Sequence, residues 1–139
     1  WLVTARQGVD LHTNTLAQAL AAEYLTGGYL DRQLPRIIEL YAPRQLAMLD
    51  ALERHMPEDF TWSHPEGGMF VWVEGPKGFD AVELQRRVLE HGVAVVPGRY
   101  FYVNEEEGAA TLRMNFTAAD AATIEHAVGV IADVMAEML

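Results

Sequence analysis

The chain has 139 residues and no cysteine, and ten Lys plus Arg against twenty Asp plus Glu leave a formal charge of −10 with the histidines neutral. A single chain of this length buries roughly two-thirds of its unfolded surface, so one domain with a real core is expected without metal or disulfide staples. The acidic balance argues against a nucleic-acid partner and an anionic membrane surface, and the missing cysteines exclude thiol catalysis, zinc–thiolate sites and disulfides.

In chain order, an irregular opening leads to a helix with Thr13 as candidate cap, Leu16, Leu20 and Tyr24 on one stripe and Gly27-Gly28 as its stop. A longer helix follows. Leu34, Ile38, Tyr41, Met48, Leu52 and Met56 fall at helical intervals, and Pro43 inside that stripe predicts a kink. After Pro57 the period becomes two. Phe60, Trp62 and His64 alternate with Thr61 and Ser63, and Met69 to Val73 resumes after Pro65-Glu66-Gly67-Gly68, which predicts an antiparallel pair.

Asp80 with Glu83 forms a capping signature, Ala81, Leu84 and Val88 supply a buried stripe and Gly92 a stop, giving a helix over 81–91. Val93 to Val96 reads as a short buried strand ended by Pro97-Gly98, and the run Glu105, Glu106 and Glu107 as a solvated loop. Thr111 to Phe116 alternates again, with Leu112, Met114 and Phe116 on one face and Arg113 and Asn115 on the other. Thr117 with Asp120 repeats the capping signature before a closing helix marked by Ile124, Val128, Ile131, Met135 and Met138. The order ααββαββα predicts an α+β fold, a small and mostly antiparallel sheet with helices packed on it.

No window approaches the roughly 20 apolar residues that cross a bilayer and no basic segment precedes an apolar run, so the chain reads as soluble and cytoplasmic, without a signal peptide. The only serine, Ser63, precedes His64 directly, and neighbours on a strand point to opposite faces, so they form no dyad with each other. The other histidines, His12, His55, His91 and His126, have no metal-ligand spacing, and no metal is expected. Neither glycine-rich phosphate loop is present. Arg113, flanked by Leu112 and Met114 on a strand, can present two parallel donors to a carboxylate from a rigid support; the alternative is an exposed arginine paired with a nearby acid.

Four stretches in order carry a resemblance: Gln7-Gly8-Val9-Asp10-Leu11-His12-Thr13-Asn14, Pro65-Glu66-Gly67-Gly68-Met69-Phe70-Val71-Trp72, Val96-Pro97-Gly98 with Phe101, and Thr111-Leu112-Arg113-Met114-Asn115-Phe116. Together they resemble the C-terminal part of the class I/II aminotransferases, pyridoxal-phosphate enzymes of fold type I, most closely the 2-aminoadipate and broad-specificity subgroup. The resemblance implies a small domain that closes over an amino acid or 2-oxo acid substrate, with Arg113 matching the arginine that clamps its α-carboxylate. It also places Gly67, Gly68 and Gly98 in loops near the closing cleft, although turn glycines need no ligand.

One departure concerns the chemistry. Pyridoxal phosphate is held as an imine by a lysine, and the only lysine here is Lys77, in Gly75-Pro76-Lys77-Gly78, which does not match the family's lysine motif. Trp1 resembles the aromatic residue just after that motif. The expectation is a single domain over 1–139 that lies downstream of the Schiff-base lysine, binds no cofactor alone and does not transaminate alone. Residues 1–28 would then belong to the large domain or subunit interface of a homodimeric parent, and the Leu16, Leu20 and Tyr24 face would lack its partner. Two alternatives remain open: an aminotransferase-like effector domain in a winged-helix transcription regulator, and a free-standing α+β module that binds small acids.

Overall fold

The computed structural model describes residues 1–139, which divide into two units, Trp1–Glu39 and Leu40–Leu139. The first unit contains α1 (Leu2–Val9), α2 (Thr15–Thr26) and the beginning of α3 (Tyr29–His55). Helix α1 stands where the pattern predicts an irregular stretch, so the observed order has three helices before the first strand. The reason is that no residue of α1 is buried, and a helix without a buried stripe carries no apolar period. Local polar contacts accompany it: Arg6 bonds to Asp10 at 3.0 Å and to the Thr13 hydroxyl at 2.6 Å.

The cap of α2 is Asn14, not Thr13; its side-chain oxygen accepts from the Ala17 N–H at 3.1 Å and satisfies one of the free first-turn donors. Gly28, at φ +67°, follows the end of α2 as expected of a stop. Leu16, Leu20 and Tyr24 are 67%, 62% and 43% exposed, so that stripe covers nothing. The same holds for Leu34 and Ile38 in α3, which the pattern predicts as core-facing. Helix α3 contains both Pro35 and Pro43 without being interrupted.

The second unit is built on four antiparallel strands, β1 (Thr61–Trp62), β2 (Phe70–Glu74), β3 (Val96–Pro97) and β4 (Thr111–Asn115), in the order β1-β2-β4-β3. The α+β class and the antiparallel sheet are therefore as predicted. Strand β1 is shorter than its alternation suggests, at two residues, and β3 covers Val96–Pro97 rather than the short buried run Val93 to Val96. Instead of pairing with β4, the segment before β3 is held from the side, where the Gln85 amide donates to the Val95 carbonyl at 2.9 Å.

The register sets the two faces. Val71 pairs with Met114 and Val73 with Leu112, all four buried, and they pack with Leu52 of α3, Leu84 and Val88 of α4 (Ala81–Glu90) and Val128, Ile131 and Met135 of α5 (Ala121–Met138). Each of the larger side chains contributes about 1.5–3 kcal/mol by leaving water. Helix α4 follows its signature in part. Asp80 accepts from the Val82 and Glu83 N–H groups, but Glu83 turns to Arg86 and Arg87 instead of back to the cap. The cap of α5 is Asp120, accepting from the Thr123 N–H at 2.8 Å, and not Thr117. Thr117 is itself bound by Asn115, whose side-chain oxygen accepts from the Thr117 and Ala118 N–H groups at the end of β4.

Candidate functional site

The opposite face of the sheet is where Arg113 lies. It stands across from Trp72 of β2 and Val96 of β3, at the centre of three strands, and is half-buried. Two ring faces meet its guanidinium: the central carbon is 4.1 Å from the Phe70 ring centroid and 4.6 Å from that of Phe101. Phe70 comes from β2 and Phe101 from the first of two 3₁₀ turns, Gly98–Phe101 and Glu105–Gly108, in the loop between β3 and β4. Trp72 extends the aromatic wall, edge-on to Phe101 at 5.9 Å and 6.1 Å from Tyr102.

The electrostatic setting of Arg113 is made by rings and not by an acid. Arg6, Arg54, Arg86, Arg87 and Arg99 each pair with a carboxylate; Arg113, like Arg32, Arg36 and Arg44, pairs with none, so the alternative of a surface ion pair does not describe it. Its Nε is sealed from solvent without a hydrogen-bond partner, while its two terminal nitrogens are not sealed. A half-buried cation without a counter-charge costs free energy, and the ring faces offset part of it by attracting positive charge without occupying an N–H donor. What remains is a pair of parallel donors on a rigid strand, suited to a carboxylate.

The three glycines separate. Gly98 is packed against this face: a β-carbon there would meet the Thr111 hydroxyl and the Trp72 ring. Gly68 has φ +85° and Gly67 has open space around it, so their turn before β2 needs a glycine only at Gly68. The aromatic partners Phe70 and Phe101 lie within the resembling stretches, but alternation alone assigns them no role; the available signal is that Phe70 and Trp72 share a face with Arg113 once β2 and β4 pair antiparallel.

Elsewhere the candidates have structural employment. Ser63 accepts the Trp72 N–H on its hydroxyl at 2.9 Å and donates its own N–H to the Trp72 carbonyl, extending the β1–β2 ladder. His55 meets Glu125 at 2.7 Å, and no group of three His, Asp or Glu is arranged to hold a metal. An apolar cavity of about 400 Å³ lies between α5 and the 91–95 segment, lined by Val93, Val95, Ile124 and Ala127 among others, and does not include Arg113.

A pyridoxal phosphate anchor requires a lysine amine held at the reacting centre and donors cradling a phosphate. Lys77 is exposed in the turn before α4, beside an open groove shared with Arg99, Glu106 and Glu107, and it lies outside the aromatic wall around Arg113. The residues of this chain do not fit that anchor.

Residues 6–131 match the family model for aminotransferase class I and II. The chain is 48% identical over 116 residues to an aromatic-amino-acid aminotransferase from Thermococcus litoralis, covering 84% of this chain and 28% of that protein. A 2-aminoadipate transaminase from Thermus thermophilus is 46% identical over 119 residues, 86% of this chain and 30% of its own. The solved structure of a Pyrococcus horikoshii kynurenine aminotransferase, determined with PMP, superposes with a TM-score of 0.83 at 43% identity, over 98% of this chain and 33% of that one. Helix-turn-helix type transcriptional regulators match more weakly, one from Escherichia coli at 32% identity over 95 residues, 68% of this chain and 20% of its own. The chain thus spans about a third or less of the relatives it matches. With four resembling stretches in order and a match over most of its length, the chain belongs to the class I and II aminotransferase family.

Proposed function

We propose that this chain is the substrate-closing C-terminal part of an aminotransferase that moves an amino group from an amino acid to a 2-oxo acid, and that Arg113 receives the substrate's α-carboxylate. The observation that carries the reading is the Arg113 guanidinium, fixed on the open sheet face with ring partners but no acid, and with its terminal nitrogens uncommitted. Holding the carboxylate by two parallel bonds fixes the substrate Cα relative to the strand, which is the positioning contribution to rate. Gly98 lies beside the cleft on this reading, and the turn of Gly67 and Gly68 forms its rim.

Pyridoxal 5'-phosphate in the whole enzyme supplies the electron sink, and its anchor lies in parts of the protein outside these residues. The chain's share is substrate orientation, and alone it does not transaminate. Residues 1–28 belong on this reading to the large domain or subunit interface of a cytoplasmic homodimer, which gives the exposed Leu16, Leu20 and Tyr24 a surface to cover. The enzyme reading is preferred to a transcription regulator because identity is higher to the transaminases, 46–48%, than to the regulator at 32%.

Arg113→Ala in the whole enzyme is expected to cost about 2–4 kcal/mol in kcat/KM, the loss of a charge-assisted bidentate contact. An unchanged kcat/KM removes the clamp.

A further inference from the structure

The loop between β3 and β4 is irregular in sequence yet tied down at both ends. At its start Gly98 sits against Thr111 and Trp72, and at its finish the Thr111 hydroxyl donates to the Gly108 carbonyl at 2.8 Å. Gly108 in turn allows the backbone of Arg99 and the ring of Tyr102 to close on it, within 2.9 Å of where a β-carbon would stand. Across the loop Arg99 reaches Glu105 and Glu106, both at 3.2 Å, so two glutamates of the run have a partner within the loop. Thr111 thus secures both ends of the loop from two residues before Arg113 on the same strand. The product of this arrangement is a single contact: Phe101, half-exposed, against the Arg113 guanidinium.

A guanidinium can offer parallel donors along its Nε edge or along the edge formed by its two terminal nitrogens. Here Nε is sealed, which leaves only the terminal edge. An acid placed beside Arg113 would have restrained it by occupying those same donors, whereas ring faces restrain it without competing for them.

We propose that Phe101 is a positioning residue for carboxylate recognition: carried by the pinned loop and acting with Phe70, it holds the Arg113 guanidinium so that a substrate carboxylate is received end-on by the two terminal nitrogens. The proposal rests on the reading of Arg113 as the carboxylate clamp. The side chain acts through Arg113, which keeps its two terminal donors in the variant, and its loss therefore weakens binding of the carboxylate more than the chemistry that follows.

The test uses the whole enzyme with L-phenylalanine and 2-oxoglutarate as substrates, and this chain with phenylglyoxal as an arginine probe. Phe101→Leu keeps an apolar side chain and removes the ring; KM is expected to rise about tenfold with kcat within about twofold, while Phe101→Tyr restores KM. In this chain, modification of Arg113 is expected to be slower than that of the unpaired Arg36 in the unsubstituted sequence, and Phe101→Leu is expected to bring the two rates together. Unchanged KM and unchanged Arg113 modification in a Phe101→Leu protein that keeps its unfolding midpoint overturn the proposal. If Phe101→Leu does not fold, Phe70→Leu carries the same expectation and the same refutation. Arg113→Lys separates the two readings: a raised KM there beside an unmoved KM in Phe101→Leu sinks the positioning role alone, and an unmoved KM in Arg113→Lys sinks the clamp itself.

Discussion

Gly98 and Thr111 approach so closely that a β-carbon on Gly98 would stand 1.9 Å from the threonine hydroxyl oxygen, a separation no real atoms adopt. The neighbours that must yield are a buried strand residue and the Trp72 ring at 2.7 Å, neither a flexible chain end. Gly98→Ala is therefore expected to cost about 1–3 kcal/mol, the usual range for forcing volume into a packed site. Urea unfolding measures it. A midpoint equal to that of the parent would mean that the loop lifts off the sheet at no cost.

Acid should weaken α4 through one carboxylate. Hydrogen bonds from Arg86, and then Arg87, hold the Glu83 carboxyl at about 2, below the ordinary 4.5. Between those values the unfolded chain binds a proton that the folded chain does not, so the stabilisation is complete above pH 4.5 and is lost as pH falls towards 2. Glu83→Gln should flatten the stability profile in that window and leave it parallel above pH 5. Because the cluster is solvent-exposed, 1 M salt should shrink the difference. Identical acid limbs for the two proteins would contradict this.

Two residues compete for the start of α5, and the structure awards the cap to Asp120. Removing its side chain leaves the Thr123 N–H without its acceptor, at an expected cost of about 1 kcal/mol, whereas Thr117→Ala should cost less than half as much because Asn115 still holds that turn. Thermal unfolding of Asp120→Ala and Thr117→Ala settles the order, and the reverse ranking would restore Thr117 as the cap.

Periodicity made the sheet legible wherever one face is buried. Leu112, Met114 and Phe116 divide from Arg113 and Asn115 as alternation requires, and the α4 stripe of Ala81, Leu84 and Val88 is buried as predicted. It was silent or misleading where nothing is buried: α1 has no apolar stripe to announce it, and Leu34 and Ile38 show a helical interval while remaining exposed. The candidate site divides in the same way. The face carrying Arg113 could be read from β4, but the Phe101 contact depends on Gly98 and Gly108 permitting close approaches within an aperiodic loop, and no spacing rule encodes that.

Strands β1 and β3, at two residues each, form both margins of the sheet. A passing polypeptide seeking to add itself as a fifth strand at either margin would find only two residues of regular strand to pair with, so brevity limits fibrous growth there. The two five-residue strands, β2 and β4, are left to organise recognition from the middle of the sheet.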